Sequence, residues 1–388
     1  MADNNENKVL NVPHLRFPEF SGEWEEHTLS EYLEFKNGLN PDAKRIGSGL
    51  PFISVMDILS EGVINYDNIR GKVNATEKEI ECFGVKDGDL LFQRSSETLE
   101  DVGRANVYMD NRTAIYGGFV IRGRKIGNYD PLFFKYLLAT PLARKRTCRM
   151  GAGAQHFNIG QEGLSKISLY FPSIEEQRKI AGFLSLIDER IATQNKIIED
   201  LKKLKSAIRK KIFSLLKDEY TKSFEINQLL DYEQPTAYIV ANDEYSTDTR
   251  LTPVLTANKG FILGYTDEKN GIYQKGACII FDDFTMDAKY VSFPFKVKSS
   301  AIKILTAKPN VNLRFMFEYL SHWELKSEEH KRHYISEISP LVIELPSKEK
   351  QNIIALLMTS LNNKLTIEEK AKIRYEVQKG YLLSQMFI

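Results

Sequence analysis

The sequence predicts an α+β protein with a pseudo-twofold plan: two mixed α/β domains, each followed by one long helix. Three observations predict it. First, PSIEEQRKIA at Pro172–Ala181 returns 174 positions later as PSKEKQNIIA at Pro346–Ala355. That register continues without a gap to the last residue, pairing Lys196 with Lys370, Lys205 with Lys379 and Phe213 with Phe387. Only 9 of the 43 aligned positions are identical, so the apolar spacing rather than the lettering was kept. Second, each copy opens a stretch whose apolar residues step by three and four, as a helix requires. Third, the text before each copy mixes short apolar runs with turn signals. A period this long is a duplicated domain plus helix, not a solenoid repeat. Such a molecule suits a target with two halves.

In chain order, residues 1–12 are polar and Asn-rich and read as a disordered tail. The first mixed domain spans 13–171. Pro51–Val55 reads as a strand, and so does Asp89–Phe92, entered through the turn Lys86-Asp87-Gly88. Ala114–Tyr116 and Phe119–Ile121 flank Gly117-Gly118 as a strand pair or bulge would. Pro131–Leu138 has helical spacing, with Pro131 at the first helical position and Asp130 as its cap. Ile167–Phe171 alternates like a closing strand. The first long helix spans 172–217, with Ser173 as N-cap and Glu175 and Glu176 in the first turn, where the dipole favours them. Its apolar positions are Ile180, Leu184, Ile187, Ile191, Ile198, Leu201, Leu204, Ile208, Ile212 and Leu215, with Gln194 in the seam. Such a helix would run about 65 Å, which predicts a coiled-coil arm. Residues 218–345 form the second mixed domain. There Ala277–Phe281 echoes the Asp89 strand, Phe315–Leu320 the Pro131 helix, and Leu341–Leu345 the closing strand. The second long helix spans 346–388, with Glu368 and Lys372 where the first has Gln194 and Ile198. Ile187, Ile191, Ile198, Leu201 and Ile208 are predicted to pack on it, chiefly against Leu361, Leu365, Tyr375 and Leu382.

The chain has 388 residues, room for two or three domains that each bury a core. Net charge is +1, so polyanion binding must come from local patches. Three scattered cysteines suit a reducing cytosol, the polar N-terminus does not read as a signal peptide, and no apolar run approaches a membrane span. The expected location is the cytoplasm. No glycine-rich phosphate loop is present, so the chain is no ATP-driven motor. Gly151-Ala152-Gly153 reads as a turn or loop. Asp130-Pro131-Leu132-Phe133 lacks the second proline of an amino-methyltransferase tetrad. His330 and His333, with His322 nearby, read as surface or phosphate-facing histidines, not a metal site. Asp282, Asp283, Asp287 and Lys289 imitate a nuclease constellation but read as acids beside a strand end. These absences predict no catalytic residue, no metal and no cofactor in the chain. They count against a self-contained methyltransferase or nuclease. A coiled-coil scaffold with two protein-binding heads is the other alternative.

The segment Pro13–Glu25 (PHLRFPEFSGEWE) and the twice-used Pro172 and Pro346 motif carry a family resemblance. So does the run from Pro253–Thr256 through Phe261–Thr266 and Ile280–Thr285 to Lys298–Ala301. The whole chain resembles a Type I restriction–modification specificity subunit, though Lys350 and Asn352 stand where the first motif has Glu176 and Arg178. The resemblance implies two target-recognition domains joined by two long antiparallel coiled-coil helices. Each domain would read half of a bipartite site in double-stranded DNA, with the helices fixing the gap. It also implies two methylation subunits carrying S-adenosylmethionine. Two restriction subunits, motor-nucleases using ATP and Mg2+, can join them. The subunit itself would be non-catalytic, and its basic partners could supply much of the phosphate contact.

Candidate DNA contacts follow from side-chain chemistry in loops. In the first domain Arg94, Ser95 and Ser96, after Gln93, offer a guanidinium and hydroxyls to base edges and phosphates. Arg104, Arg146, Arg149, Gln155, His156 and Asn158 are expected in loops of similar chemistry. In the second domain the candidates are Thr256, Asn258, Lys259, Thr285, Lys289, Lys331, Arg332, His333 and Tyr334.

Overall fold

The structure, a computed structural model, describes residues 10–216, 222–256, 260–323 and 333–388. The chain divides into two units: Met1–Asn195 with Ala371–Ile388, and Lys196–Lys370. The long helices Ile174–Leu216 and Lys348–Gln385 each contribute to both. Inside each unit, a stretch of one helix lies antiparallel to a stretch of the other.

The first unit is organised by the apolar run Leu90–Gln93. It sits in an antiparallel sheet ordered Leu33–Asn37, Val120–Lys125, Leu90–Gln93, Ala105–Val107. Alternate side chains of a strand point to opposite faces. Leu90 and Phe92 therefore enter one core, with Phe133, Phe134 and the helix residues Ile180 and Leu184, while Leu91 enters a second with Ile53 and Tyr116. That explains an uninterrupted apolar strand: it is buried on both faces. A second sheet, ordered Gly71–Val73, Ile46–Ile53, Ala114–Tyr116, Gly84–Val85, contains one parallel pair. The strand Glu25–Thr28 pairs with Ser168–Phe171 just before the first long helix.

The second unit repeats this plan. Its sheet runs Leu230–Glu233, Ile302–Ala307, Cys278–Asp282, Ala288–Val291, the same order in sequence terms. Ile279 and Phe281 enter one core, and Cys278 and Ile280 the other. Thr252–Leu255 and Lys296–Val297 supply the parallel pair, and Lys222–Glu225 with Val342–Leu345 the closing pair.

Several expectations are corrected. Residues 10–12, read as part of a disordered tail, are fastened: the Asn11 carbonyl accepts from Trp24 N at 2.8 Å. Residues 1–9 lie outside the described set. Ala114–Tyr116 and Val120–Lys125 do not pair with each other but belong to different sheets, and Gly117-Gly118 is the crossing between them. In the seam, Ile187, Ile191, Ile198, Leu365 and Leu382 are buried, and Leu201, Ile208, Leu361 and Tyr375 are half-buried. Leu204 and Leu215 are instead 49% and 48% exposed. At about 100° per residue both sit roughly 100° or more from the buried direction of that helix. Phe213 and Leu216 take the buried places.

The duplicated motif has a local reason. Gln177 Oε1 accepts from the backbone N of Asp130 at 3.1 Å, while its Nε2 donates to the Pro172 carbonyl at 3.0 Å. Gln351 does the same with Asn312 N (2.8 Å) and the Pro346 carbonyl (2.9 Å). Asp130 and Asn312 cap the helices Pro131–Leu138 and Leu313–His322 through Phe133 N and Phe315 N. One buried amide thus ties the head's helix to the long helix in each unit, satisfying groups that would otherwise be orphaned.

Candidate nucleic-acid interface

In the first unit the strand Leu90–Gln93 delivers Arg94 to a crossing point. Its N–H donates to the Phe119 carbonyl (2.9 Å), its carbonyl accepts from Ile159 N (3.0 Å), and its guanidinium reaches the Gly118 carbonyl (3.4 Å). Ser95 and Ser96 then pair antiparallel with Asn158 and Phe157, and the Ser95 hydroxyl donates to Asn158 Oδ1. Ala152 and Asn158 exchange backbone hydrogen bonds of 3.0 and 2.9 Å, closing a tight loop. Gly153 has φ +143°, and a Cβ there would fall 2.0 Å from the His156 carbonyl, so only glycine fits. Gln155 and His156 stand exposed at the tip. Arg94, Ser95, Ser96, Gln155, His156 and Asn158, which are 64 positions apart at the extremes, share one surface element. It combines a cation, hydroxyls and amides, the groups that meet phosphates and base edges.

Three further arginines differ in position. Arg149 is exposed, but it ends the helix Pro141–Arg149 instead of lying in a loop. Arg104 is exposed beside Gln93, whose N–H bonds its carbonyl, and its side chain pairs with Asp101 at 2.7 Å. Arg146, also on the helix, is occupied by Glu26 at 2.8 Å and by Ser168. The Ser168 hydroxyl and this guanidinium hold the Glu26 carboxyl below its ordinary range. Arg146 braces the closing strand pair and is not a free contact.

Sheet register aligns the second unit. Gln93 faces Val120 as Asp282 faces Ile302, so Asp283 occupies the place of Arg94. His333 N donates to the Asp283 carbonyl at 2.9 Å, as Ile159 N does to Arg94. His333 and Tyr334 are 3% and 1% exposed, and this corrects their assignment as DNA contacts. They are a core anchor, with His333 equivalent to buried Ile159. The His333 ring bonds Glu337, and Tyr334 packs on Phe281 and Tyr232. Burial pushes the Tyr334 hydroxyl well above the usual phenol range. His333 is likewise not a surface histidine. Thr256 is buried, and its N–H donates to the Phe261 carbonyl. Thr285 is exposed, but its hydroxyl donates to Asp282 at 2.7 Å. Lys289 pairs with Asp287 at 3.0 Å, over the Phe261 ring. Asn258, Lys259, His330, Lys331 and Arg332 lie outside the described residues.

The acids of the nuclease-like constellation have structural partners. Asp282 accepts from Phe284 N, Thr285 N and the Thr285 hydroxyl. Asp283 accepts from Tyr334 N and pairs with Lys303 at 3.3 Å, both side chains being buried. The two heads thus differ at equivalent backbone positions: Arg94 is half-buried in one, and Asp283 is buried against Lys303 in the other.

A family model, that of the Type I restriction modification DNA specificity domain, matches residues 21–203 and again residues 218–377. The chain belongs to this family. It is 39% identical to the Escherichia coli EcoR124I/EcoR124II specificity subunit over 178 residues, 41% of this chain and 43% of that protein. That match therefore spans less than half of the relative. A second resemblance is end to end: 23% identity to a putative MjaX specificity subunit of Methanocaldococcus jannaschii, covering 97% and 96% of the two chains. Among solved structures, the specificity subunit of M. genitalium superposes with TM-score 0.65 at 15% identity, covering 97% of this chain and 99% of that one. A chain from a structural study of type I R-M complex assembly superposes with TM-score 0.55 at 12% identity, covering 94% and 97%. These likenesses agree on the specificity-subunit fold of two α/β heads and two long helices. Among the described residues, no helix is long and apolar enough to cross a membrane.

Proposed function

We propose that this chain is the sequence-reading subunit of a Type I restriction–modification complex and recognises a bipartite site in double-stranded DNA. The carrying observation is the doubled specificity domain, whose two copies share strand order but present different surface chemistry. Arg94, Ser95, Ser96, Gln155, His156 and Asn158 form the reading surface of the first unit, with Arg149 and Arg104 on its flank. In the second, Thr285 and Lys289 remain candidates, together with Asn258, Lys259 and Arg332.

Assembly with methylation subunits, two per chain, is supported by apolar residues left bare on the long helices. Phe183 and Leu186 in the first unit, and Ile353, Leu356 and Leu357 in the second, are exposed. Phe183 and Leu357 are equivalent in the 174-residue register, so the two copies offer the same helix face. Exposed apolar stripes of this kind mark protein contacts. S-adenosylmethionine would enter with the methylation subunits, and ATP and Mg2+ with two restriction subunits. The chain itself would recognise, position and assemble without performing chemistry, in the cytoplasm. Methylome sequencing of cells carrying the chain with its methylation subunits tests this: one bipartite adenine-methylated motif should appear, and should vanish when the chain is deleted.

A further inference from the structure

In the first unit the chain crosses between its two sheets at a point of close backbone approach. A Cβ on Gly38 would lie 2.1 Å from the Gly117 carbonyl oxygen, and one on Gly118 would lie 1.8 Å from Asn40 Oδ1. Squeezing the backbones together leaves an open recess of about 450 Å3, whose apolar walls include Leu39, Pro41, Ile46, Phe52, Met56 and Phe119. Three of these are large and lie bare: Phe119 is 68% exposed, Met56 67% and Ile46 53%. Side chains of this size gain nothing by facing water.

The recess adjoins the reading surface. Phe119 is the residue whose carbonyl holds Arg94 N–H, and the Gly118 carbonyl, also in its wall, holds the Arg94 guanidinium. Ile46, likewise in its wall, follows Lys44, which is exposed, and Arg45, whose guanidinium is taken by Glu79 and the Asn74 carbonyl. The patch is thus apolar, with Arg94 beside one wall residue and Lys44 two positions before another. That pattern suits the edge of a nucleic acid, whose phosphates meet the cations while an apolar group enters the centre. Among base edges in the major groove, only thymine presents an apolar group, its 5-methyl.

We propose that the Phe119–Met56–Ile46 recess receives the 5-methyl group of a thymine in the half-site read by the first unit, making Phe119 a specificity-determining residue beside Arg94. This rests on the reading of the chain as a DNA-recognition subunit.

The test replaces each thymine of that half-site by deoxyuridine, which lacks only the methyl group, and measures binding by the complex of the chain with its methylation subunits. One position should lose about fourfold, the factor for one methyl-sized apolar group withdrawn from contact. In Phe119→Ser that sensitivity should disappear, while Phe119→Leu should retain it, and the half-site of the second unit should be unaffected in both. Thermal melting confirms that the variants fold, and Met56→Ala serves as an independent variant. The proposal falls if the wild-type complex binds its target but no thymine of that half-site is sensitive, an outcome that leaves the DNA-recognition reading intact. It also falls if Phe119→Ser weakens all sequences equally. Loss of methylation-subunit assembly in Phe119→Ser overturns it too, because the recess would then be a protein-docking surface.

Discussion

The Tyr136 hydroxyl donates to Asp188 at 2.8 Å, joining the head of the first unit to its long helix, and Lys379 pairs with the same carboxylate at 2.6 Å. The equivalent positions in the second unit are Glu318 and Asn362. There the polarity is reversed: Asn362 Nδ2 donates to Glu318 Oε1 at 3.2 Å, and Arg209 balances the carboxylate at 3.0 Å. One joint has kept its hydrogen bond through duplication by exchanging donor for acceptor on both sides together. Glu in place of the tyrosine, with the aspartate unchanged, would have placed two carboxylates face to face.

This joint makes the first prediction. Glu318 is fully buried, so Glu318→Gln strips Arg209 of its counter-charge and should destabilise the second unit by about 3–5 kcal/mol. Tyr136→Phe removes one neutral-donor bond while Lys379 still balances Asp188, and should cost only about 0.5–1.5 kcal/mol. Denaturant unfolding monitored in each unit separates the two. Equal effects would contradict the reading.

Gln177 and Gln351 supply the second. Each side chain satisfies one backbone N–H and one backbone carbonyl, and both are buried. Gln177→Ala or Gln351→Ala should cost about 2–4 kcal/mol, because two main-chain groups lose their partners. Gln→Glu should cost least at low pH, where the protonated carboxyl still donates to the proline carbonyl and accepts from the backbone N–H, and more at high pH, where a buried carboxylate would face that carbonyl. A loss below about 1 kcal/mol in the alanine variants would show that water replaces the amide.

The third prediction contrasts Arg94 with its counterpart. Arg94→Ala should relax preference at one base position, by about 1–3 kcal/mol of discrimination if the guanidinium grips a guanine in bidentate fashion. Asp283→Ala should act on stability instead, since it leaves Lys303 buried without its carboxylate. Binding-site selection and thermal melting read the two effects. An Arg94→Ala complex weakened uniformly over all sequences would mark a phosphate contact.

The fourth concerns separable halves. Exchanging residues 218–345 for another domain of the family should alter one half of the methylated motif and leave the other half and the gap unchanged. Methylome sequencing shows this directly. A motif changed in both halves would count against two independent heads.

The fifth tests the helices as a ruler. Adding one heptad to each helix, between Ala192 and Gln194 and at the matching place in the second, preserves seam phase and adds about 10.5 Å. The half-sites should persist with a gap about three base pairs wider. An unchanged gap would leave the helices as docking surfaces alone.

Local pattern in the sequence was enough for much of this. Helical period, Asp130 and Ser173 as caps, and the apolar runs Leu90–Phe92 and Cys278–Phe281 act over a few residues, so they are legible without a fold. The 174-residue repeat carried the architecture, because each copy had to bury the same faces. Only the tertiary structure decided which partner each element met. Gly117-Gly118 looks like a hairpin in sequence, but its flanks joined different sheets, since sheet register is set by strands distant in the chain. His333 and Tyr334 carry the polar chemistry of a binding loop, yet the hydrogen bond of His333 N to the Asp283 carbonyl holds them in the core. Arg146 is as polar as Arg149, but Glu26 and Ser168 claim it from 120 and 22 residues away. Met56 gave no signal at all, and Phe119 read only as the start of an apolar run. An apolar side chain declares itself unburied only once every neighbour that could have covered it has been placed elsewhere.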